Sequence, residues 1–268
     1  MYLWGSYLLG FTLGIKSPAD FIQIELILSL LYFSLPANLL IYAVNDYADE
    51  DTDQFNKNKK GVYEFMLKGS DKKFILVVIK LCLLVSLIYA FLLSSPAELL
   101  VFSIFLALSI AYSLKPFRFK ARPFIDSASN ILYILPGVIG YYQSTNSLPP
   151  LESILIIGLW TSAMHLFSAI PDIESDLKAN LKTSAVVLGY KGSFLATMIL
   201  WGIFSILLFI AQVNTILVLA ALVYPLICLI ILLRPSLDIN RIYRIFPYIN
   251  LIFGALSFVV ITSGKLVF

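Results

Sequence analysis

The sequence predicts an all-α, multi-pass membrane protein with about nine transmembrane helices, forming a single domain over residues 1–268. Three observations carry that expectation. Apolar residues make up 60% of the chain and charged residues 13%, with a mean hydropathy of +0.91. A soluble domain carries roughly 25% charged residues, so this chain has too little polar surface to cover itself. The apolar residues also fall into successive runs near the ~20 residues that a helix needs to cross a bilayer. Finally, the basic residues collect in alternate loops, as they do in membrane proteins of fixed orientation.

Taken in order, the runs cover about 1–15, 20–45, 73–94, 97–114, 123–142, 151–171, 192–212, 214–233 and 244–264. The stretch Met1 to Ile15 has no basic leader and no small-residue cleavage site, so it reads as a retained span rather than a signal peptide. The linkers Ser94–Pro96 and Gln212–Asn214 are so short that their neighbouring helices must be antiparallel. Pro36, Pro136 and Pro225 fall inside runs, where packing neighbours can satisfy the carbonyls that proline frees. Cys82 and Cys228 lie singly in apolar runs, outside any metal or redox spacing, and read as packing residues.

Four loops, 46–72, 115–122, 172–191 and 234–243, hold with their flanks sixteen of the nineteen bases. Lys16 and Lys265 fall on the other side, and Lys80 within a span. The basic loops are therefore expected in the cytoplasm, with the N-terminus inside and the C-terminus outside a prokaryotic cytoplasmic membrane. The implied surroundings are membrane lipids rather than nucleic acid.

Acids crowd the same side. After the second run comes Asn45-Asp46-Tyr47-Ala48-Asp49-Glu50-Asp51-Thr52-Asp53, in which Asn45, Asp49 and Asp53 recur every four residues and share one helical face. After the sixth comes Asp172-Ile173-Glu174-Ser175-Asp176, where Asp172 and Asp176 repeat the spacing; Pro171 suits a first helical turn or a kink. An acidic run at one helix end is ordinarily a solvated cap. Two at matched ends on one membrane face point further. Oxygen ligands without His or Cys favour Mg²⁺, held by a few carboxylates and by phosphate oxygens. Facing clusters could clamp one diphosphate between two such ions and offset the charge on a departing group.

Between the clusters lies Tyr112-Ser113-Leu114-Lys115-Pro116-Phe117-Arg118-Phe119-Lys120-Ala121-Arg122, with cations alternating with apolar residues at the lipid boundary. These cations either anchor the span or contact diphosphate oxygens. Lys178 and Lys182 would add to the same field.

These residues resemble the UbiA superfamily of intramembrane prenyltransferases. Asn45, Asp46, Asp49 and Asp53 match an N-D-x-x-D-x-x-x-D signature, and Asp172 and Asp176 match D-x-x-x-D, with Thr183, Leu188 and Gly189 supplying the T-x-x-x-x-L-G that follows. Tyr112, Ser113, Arg118 and Lys120 match Y-S-x-x-x-R-x-K. The resemblance implies a helical bundle around a cavity capped by these loops, with Mg²⁺ bridging an allylic isoprenoid diphosphate. By position, Asp49, Asp53, Asp172 and Asp176 would bind metal, and Asn45, Lys115, Arg118, Lys120 and Lys182 the diphosphate. Tyr112 and Ser113 would stand near the bond that breaks. Relatives carry a basic residue before the first span, which this sequence does not show, and Asn180 stands where a glycine is common.

The expected reaction draws diphosphate off the substrate and leaves an allylic cation for a lipophilic acceptor to attack. Met164 to Glu174 and Tyr2 to Gly10 are more similar to the lycopene elongase branch, which makes C50 carotenoids, than to enzymes that prenylate 4-hydroxybenzoate and other quinone precursors. His165, the single histidine, reads as a packed or hydrogen-bonded residue. A cation transporter is the rival class, but its charges belong at mid-membrane and in inverted repeats, and here the acids sit at helix ends.

Overall fold

The structure, a computed structural model, describes residues 3–53 and 71–265, with side chains throughout except at 50–53. The loop bases Lys57, Lys59, Lys60 and Lys68 lie outside the described residues. Among those described, every regular element is helical. In chain order they are α1 (Leu3–Thr12), α2 (Ile24–Ser34), α3 (Pro36–Asp53), α4 (Lys72–Leu92), α5 (Pro96–Ala111), α6 (Ile125–Ala128), α7 (Leu135–Thr145), α8 (Leu151–Ala169), α9 (Ile173–Lys178), α10 (Ser184–Ile210), α11 (Thr215–Ala221), α12 (Val223–Leu233) and α13 (Ile239–Lys265).

Six stretches among the described residues are long and apolar enough to cross a bilayer: Ile24–Asp49, Lys72–Leu92, Leu151–Lys178, Ser184–Ile210, Thr215–Leu233 and Ile239–Lys265. The other three expected spans are shorter or broken, so nine is an approximate count. α1 has 10 residues and α5 has 16. The run expected over about 123–142 divides into α6, a 3₁₀ turn at Ser129–Tyr133, and α7.

Pro36 and Pro225 lie within the spans Ile24–Asp49 and Thr215–Leu233, as expected, and all three prolines stand at or next to a helix break. Proline lacks an N–H and its ring crowds the preceding turn, so it fits a first turn better than a helix interior. Pro36 begins α3, Pro136 sits in the first turn of α7, and Pro225 follows the break at Leu222. Asn38 repairs the first break: its side-chain amide donates to the carbonyls of Phe33 (2.6 Å) and Ser34 (3.1 Å).

The interior forms two main apolar clusters. One joins α1, α2, α4, α5 and α7 around Tyr7, Phe11, Phe33, Phe102 and Phe105. The other joins α8, α10, α12 and α13 around Phe167, Trp201, Tyr224 and Phe246. Outward-facing residues such as Leu31, Phe91, Phe209 and Leu233 are strongly exposed, the inverse of a water-soluble surface. Cys82 and Cys228 are buried free thiols.

Glycine permits the tightest contact. A Cβ on Gly10 would lie 1.9 Å from the Gly137 carbonyl oxygen, and one on Gly140 would lie 2.3 Å from that of Tyr7. Backbones meet this closely only where side chains are absent, the usual device of helix pairs in lipid. α1 also packs on α13, and the Phe21 and Phe258 rings meet at 6.2 Å, so the first and last helices close the bundle.

Candidate active site

α3 runs unbroken through Asn45 and Asp49 to Asp53, which gives these residues the one-face arrangement that their spacing predicts. The Asp53 side chain lies outside the described residues. Lys72 rests over the Tyr47 ring at 5.5 Å and braces the start of α4 against this helix.

The loop after α5 turns back on that helix. The Lys120 N–H donates to the Tyr112 carbonyl at 3.0 Å, the Arg118 N–H donates to that of Leu114 at 2.8 Å, and Arg118 takes a left-handed φ of 40°. This fold-back carries both cations to α3. Lys120 Nζ donates to Asn45 Oδ1 at 2.9 Å and pairs with Asp49, and Arg118 lies 3.5 Å from the same carboxylate. Ser113 Oγ donates to Asn45 Oδ1 at 3.0 Å. Tyr112 meets His165 of α8, with OH to Nδ1 at 3.5 Å and the rings edge to face. Asn45, Asp49, Ser113, Arg118 and Lys120 thus form one cluster. Lys115 and Lys182 are exposed.

The second acidic stretch follows a break at Pro171. Asp172 ends a 3₁₀ turn and caps α9, at the end of the stretch Leu151–Lys178. Its carbonyl accepts from Ser175 Oγ at 2.9 Å. Asp176 accepts from Thr183 Oγ1 at 3.1 Å. The helix that leads into this stretch, α8, meets the first cluster's loop through His165 and Tyr112.

Among the described residues, no three acidic, His or Cys side chains converge closely enough to hold one ion. Asp49 is engaged by Lys120 and Arg118, which offset its charge. The donor set is nonetheless all oxygen, which fits Mg²⁺.

Two local geometries explain parts of the sequence pattern. Gly189, the last residue of the T-x-x-x-x-L-G stretch, has φ 65° and ψ 177°, a region open essentially to glycine alone. It breaks α10 into a short cap, 184–188, and the long span beyond. Asn180 has φ 53°, and Asn tolerates the left-handed region better than most residues, so it serves where a glycine is common.

The sequence reading missed Asp126. This carboxylate is fully buried and receives the Ser184 N–H at 2.6 Å, the Ser184 hydroxyl, and the Ser127 N–H at 2.7 Å. Its signal was available: a lone acid in an apolar run is an intramembrane ionisable group, which always calls for a partner.

Residues 3–241 match the UbiA prenyltransferase family. The chain belongs to that family. It is a prenyltransferase and an integral membrane protein. It is 34% identical over 266 residues to a lycopene elongase/hydratase of Haloferax volcanii, covering 99% of this chain and 85% of that protein. It is 37% identical over 201 residues to a lycopene elongase/hydratase of Haloarcula japonica, covering 75% of this chain and 67% of that one. Its fold is that of a UbiA homologue of Archaeoglobus fulgidus solved with GPP and Mg²⁺: TM-score 0.74, 22% identity, 97% of this chain and 96% of the other.

Proposed function

We propose that this UbiA-family enzyme ionises an allylic isoprenoid diphosphate with Mg²⁺ and transfers the prenyl group to lycopene or a related polyene, acting as a single unit over residues 1–268. The observation that carries this reading is the gathering of Asn45 and Asp49 on α3 with Lys120 and Arg118 from the loop after α5, beside the Tyr112 contact with His165 of α8, the helix that leads into Asp172 and Asp176. The polyene acceptor is supported by the lycopene elongase/hydratase relatives, which match along most of the chain.

In this reading Asp49, Asp53, Asp172 and Asp176 hold the metal. Asn45, Arg118 and Lys120 grip diphosphate oxygens, with Lys115 and Lys182 at the rim. Bound Mg²⁺ would offset the charge that grows on the diphosphate as its carbon–oxygen bond breaks. Ser113 fixes Asn45, and Tyr112 with His165 borders the reacting carbon. The bond's electron pair leaves with diphosphate. A polyene double bond then attacks the allylic carbon, and a proton leaves the product cation. The basic loops lie in the cytoplasm, with the N-terminus inside and the C-terminus outside.

The test is transfer by purified protein in detergent, from labelled allylic diphosphates of five to twenty carbons to lycopene or to 4-hydroxybenzoate, with Mg²⁺ or EDTA. The reading expects lycopene to be prenylated in Mg²⁺ only, and Asp49→Asn or Asp172→Asn to abolish the reaction. Transfer to 4-hydroxybenzoate alone would overturn the acceptor assignment, and undiminished transfer in EDTA would overturn the metal.

A further inference from the structure

Asp126 has no place in the motif residues, yet three donors anchor its carboxylate. A buried carboxylate is costly unless its oxygens are paired. Here one oxygen takes the Ser184 N–H, and the other takes the Ser184 hydroxyl and the Ser127 N–H. Ser184 N–H belongs to the first turn of α10, where backbone donors lack partners within the helix and a negative charge is favoured. The cap on that turn therefore comes partly from a different element of the fold.

Ser184 Oγ is tied twice, since it also accepts the Phe124 N–H at 2.6 Å, and Phe124 holds a φ of 67°. The neighbouring Thr183 hydroxyl accepts the Val186 N–H at 3.3 Å, so its own proton is free to go to Asp176, 3.1 Å away. An unbroken chain of contacts results: Asp126 to Ser184, Ser184 through the backbone to Thr183, and Thr183 to Asp176. The Gly189 break leaves 184–188 as a short cap oriented separately from the long span. Asn130 and Ser129 hold the other side of Asp126 through its carbonyl, at 2.6 and 3.2 Å.

We propose that Asp126 is a positioning residue: through Ser184 and Thr183 it fixes the Asp176 carboxylate, and its own charge deepens the negative field in which divalent cations and diphosphate assemble. The inference rests on the metal–diphosphate reading above. The bonds from Ser184 to Asp126 and from Thr183 to Asp176 join Asp126 to a carboxylate of the second acidic stretch. Asparagine cannot replace it. Both oxygens accept donors, and the amide of Asp126→Asn would turn an N–H toward another N–H.

The experiment measures Mn²⁺ bound in the presence of inorganic pyrophosphate, by electron paramagnetic resonance, on the full chain in detergent. Asp126→Asn is expected to weaken Mn²⁺ binding about tenfold, the usual range for groups that orient a metal ligand. The half-saturating Mg²⁺ concentration for prenyl transfer should rise in step, while the rate at saturating Mg²⁺ falls less. Thr183→Val leaves the Asp126 and Ser184 side chains unchanged and removes the last link, together with the bond that its hydroxyl accepts from the Val186 N–H. It should weaken Mn²⁺ binding severalfold, and it carries the test if Asp126→Asn fails to fold. Wild-type Mn²⁺ affinity in a folded Asp126→Asn protein, or in Thr183→Val, overturns the proposal. Absence of Mn²⁺ binding by the wild type would instead overturn the metal–diphosphate reading itself.

Discussion

Replacing Gly189 with alanine isolates backbone strain from every other effect. A Cβ at this position would meet nothing within 4 Å, so no clash contributes. The cost is conformational. At φ 65° and ψ 177° an L-residue is held in a region that costs about 1–3 kcal/mol. For a chain of this size that corresponds to a fall in apparent melting temperature of roughly 2–12 °C. Gly202 is the internal control: it lies on the same helix, its added Cβ also meets nothing within 4 Å, and its φ is ordinary. Gly202→Ala should stabilise by about 0.5–1 kcal/mol through higher helix propensity. The assay is thermal unfolding of both variants in one detergent at one scan rate, since membrane proteins often unfold irreversibly. Because the 184–188 cap holds Asp126 and is contiguous with Thr183, Gly189→Ala should also raise the Mg²⁺ needed for half-maximal transfer. If Gly189→Ala melts with the wild type while Gly202→Ala is stabilised, the break in α10 is not held by glycine geometry and the reasoning fails.

Other variants probe separate parts of the structure. Lys120→Met removes the cation shared by Asn45 and Asp49 and should lower kcat/KM for the allylic diphosphate at least a hundredfold, about 3 kcal/mol; a loss below fivefold would remove Lys120 from the diphosphate grip. Gly10→Ala drives a methyl into the Gly137 carbonyl and should destabilise by about 3 kcal/mol, since over-packed interiors yield poorly. An unchanged melting temperature in detergent would mean that α1 and α7 do not pack backbone to backbone. Chelation by EDTA should abolish turnover and Mg²⁺ restore it, read as product formed before and after adding the metal back.

The membrane fold was legible because its cause is compositional. Runs of Leu, Ile, Val and Phe leave a helix no option but lipid or a buried core, and the helices form where those runs lie. The breaks were harder. Pro36, Pro136 and Pro225 were visible, but a transmembrane helix can absorb a proline, so only the packed structure separates a kink from a new start. Of the site, the helical spacing of Asn45 and Asp49 was readable from local geometry alone. The fold-back that seats Lys120 on Asn45 depends on a left-handed Arg118, a residue with no special liking for that conformation, and no pattern announces it. Asp126 escaped for a related reason. Its partners at Ser184 lie 58 residues away, and nothing local marks the pair.

The bend at Pro36 has a mechanical consequence. Asp49 lies thirteen residues along α3 from it, a rod of about 20 Å at 1.5 Å per residue. Each degree of tilt at the pivot therefore sweeps the tip sideways by roughly 0.35 Å. Leu35, beside the pivot, is an exposed apolar residue. Shape changes there, including those imposed by the surrounding lipid, are levered into ångström-scale shifts of the aspartate at the far end.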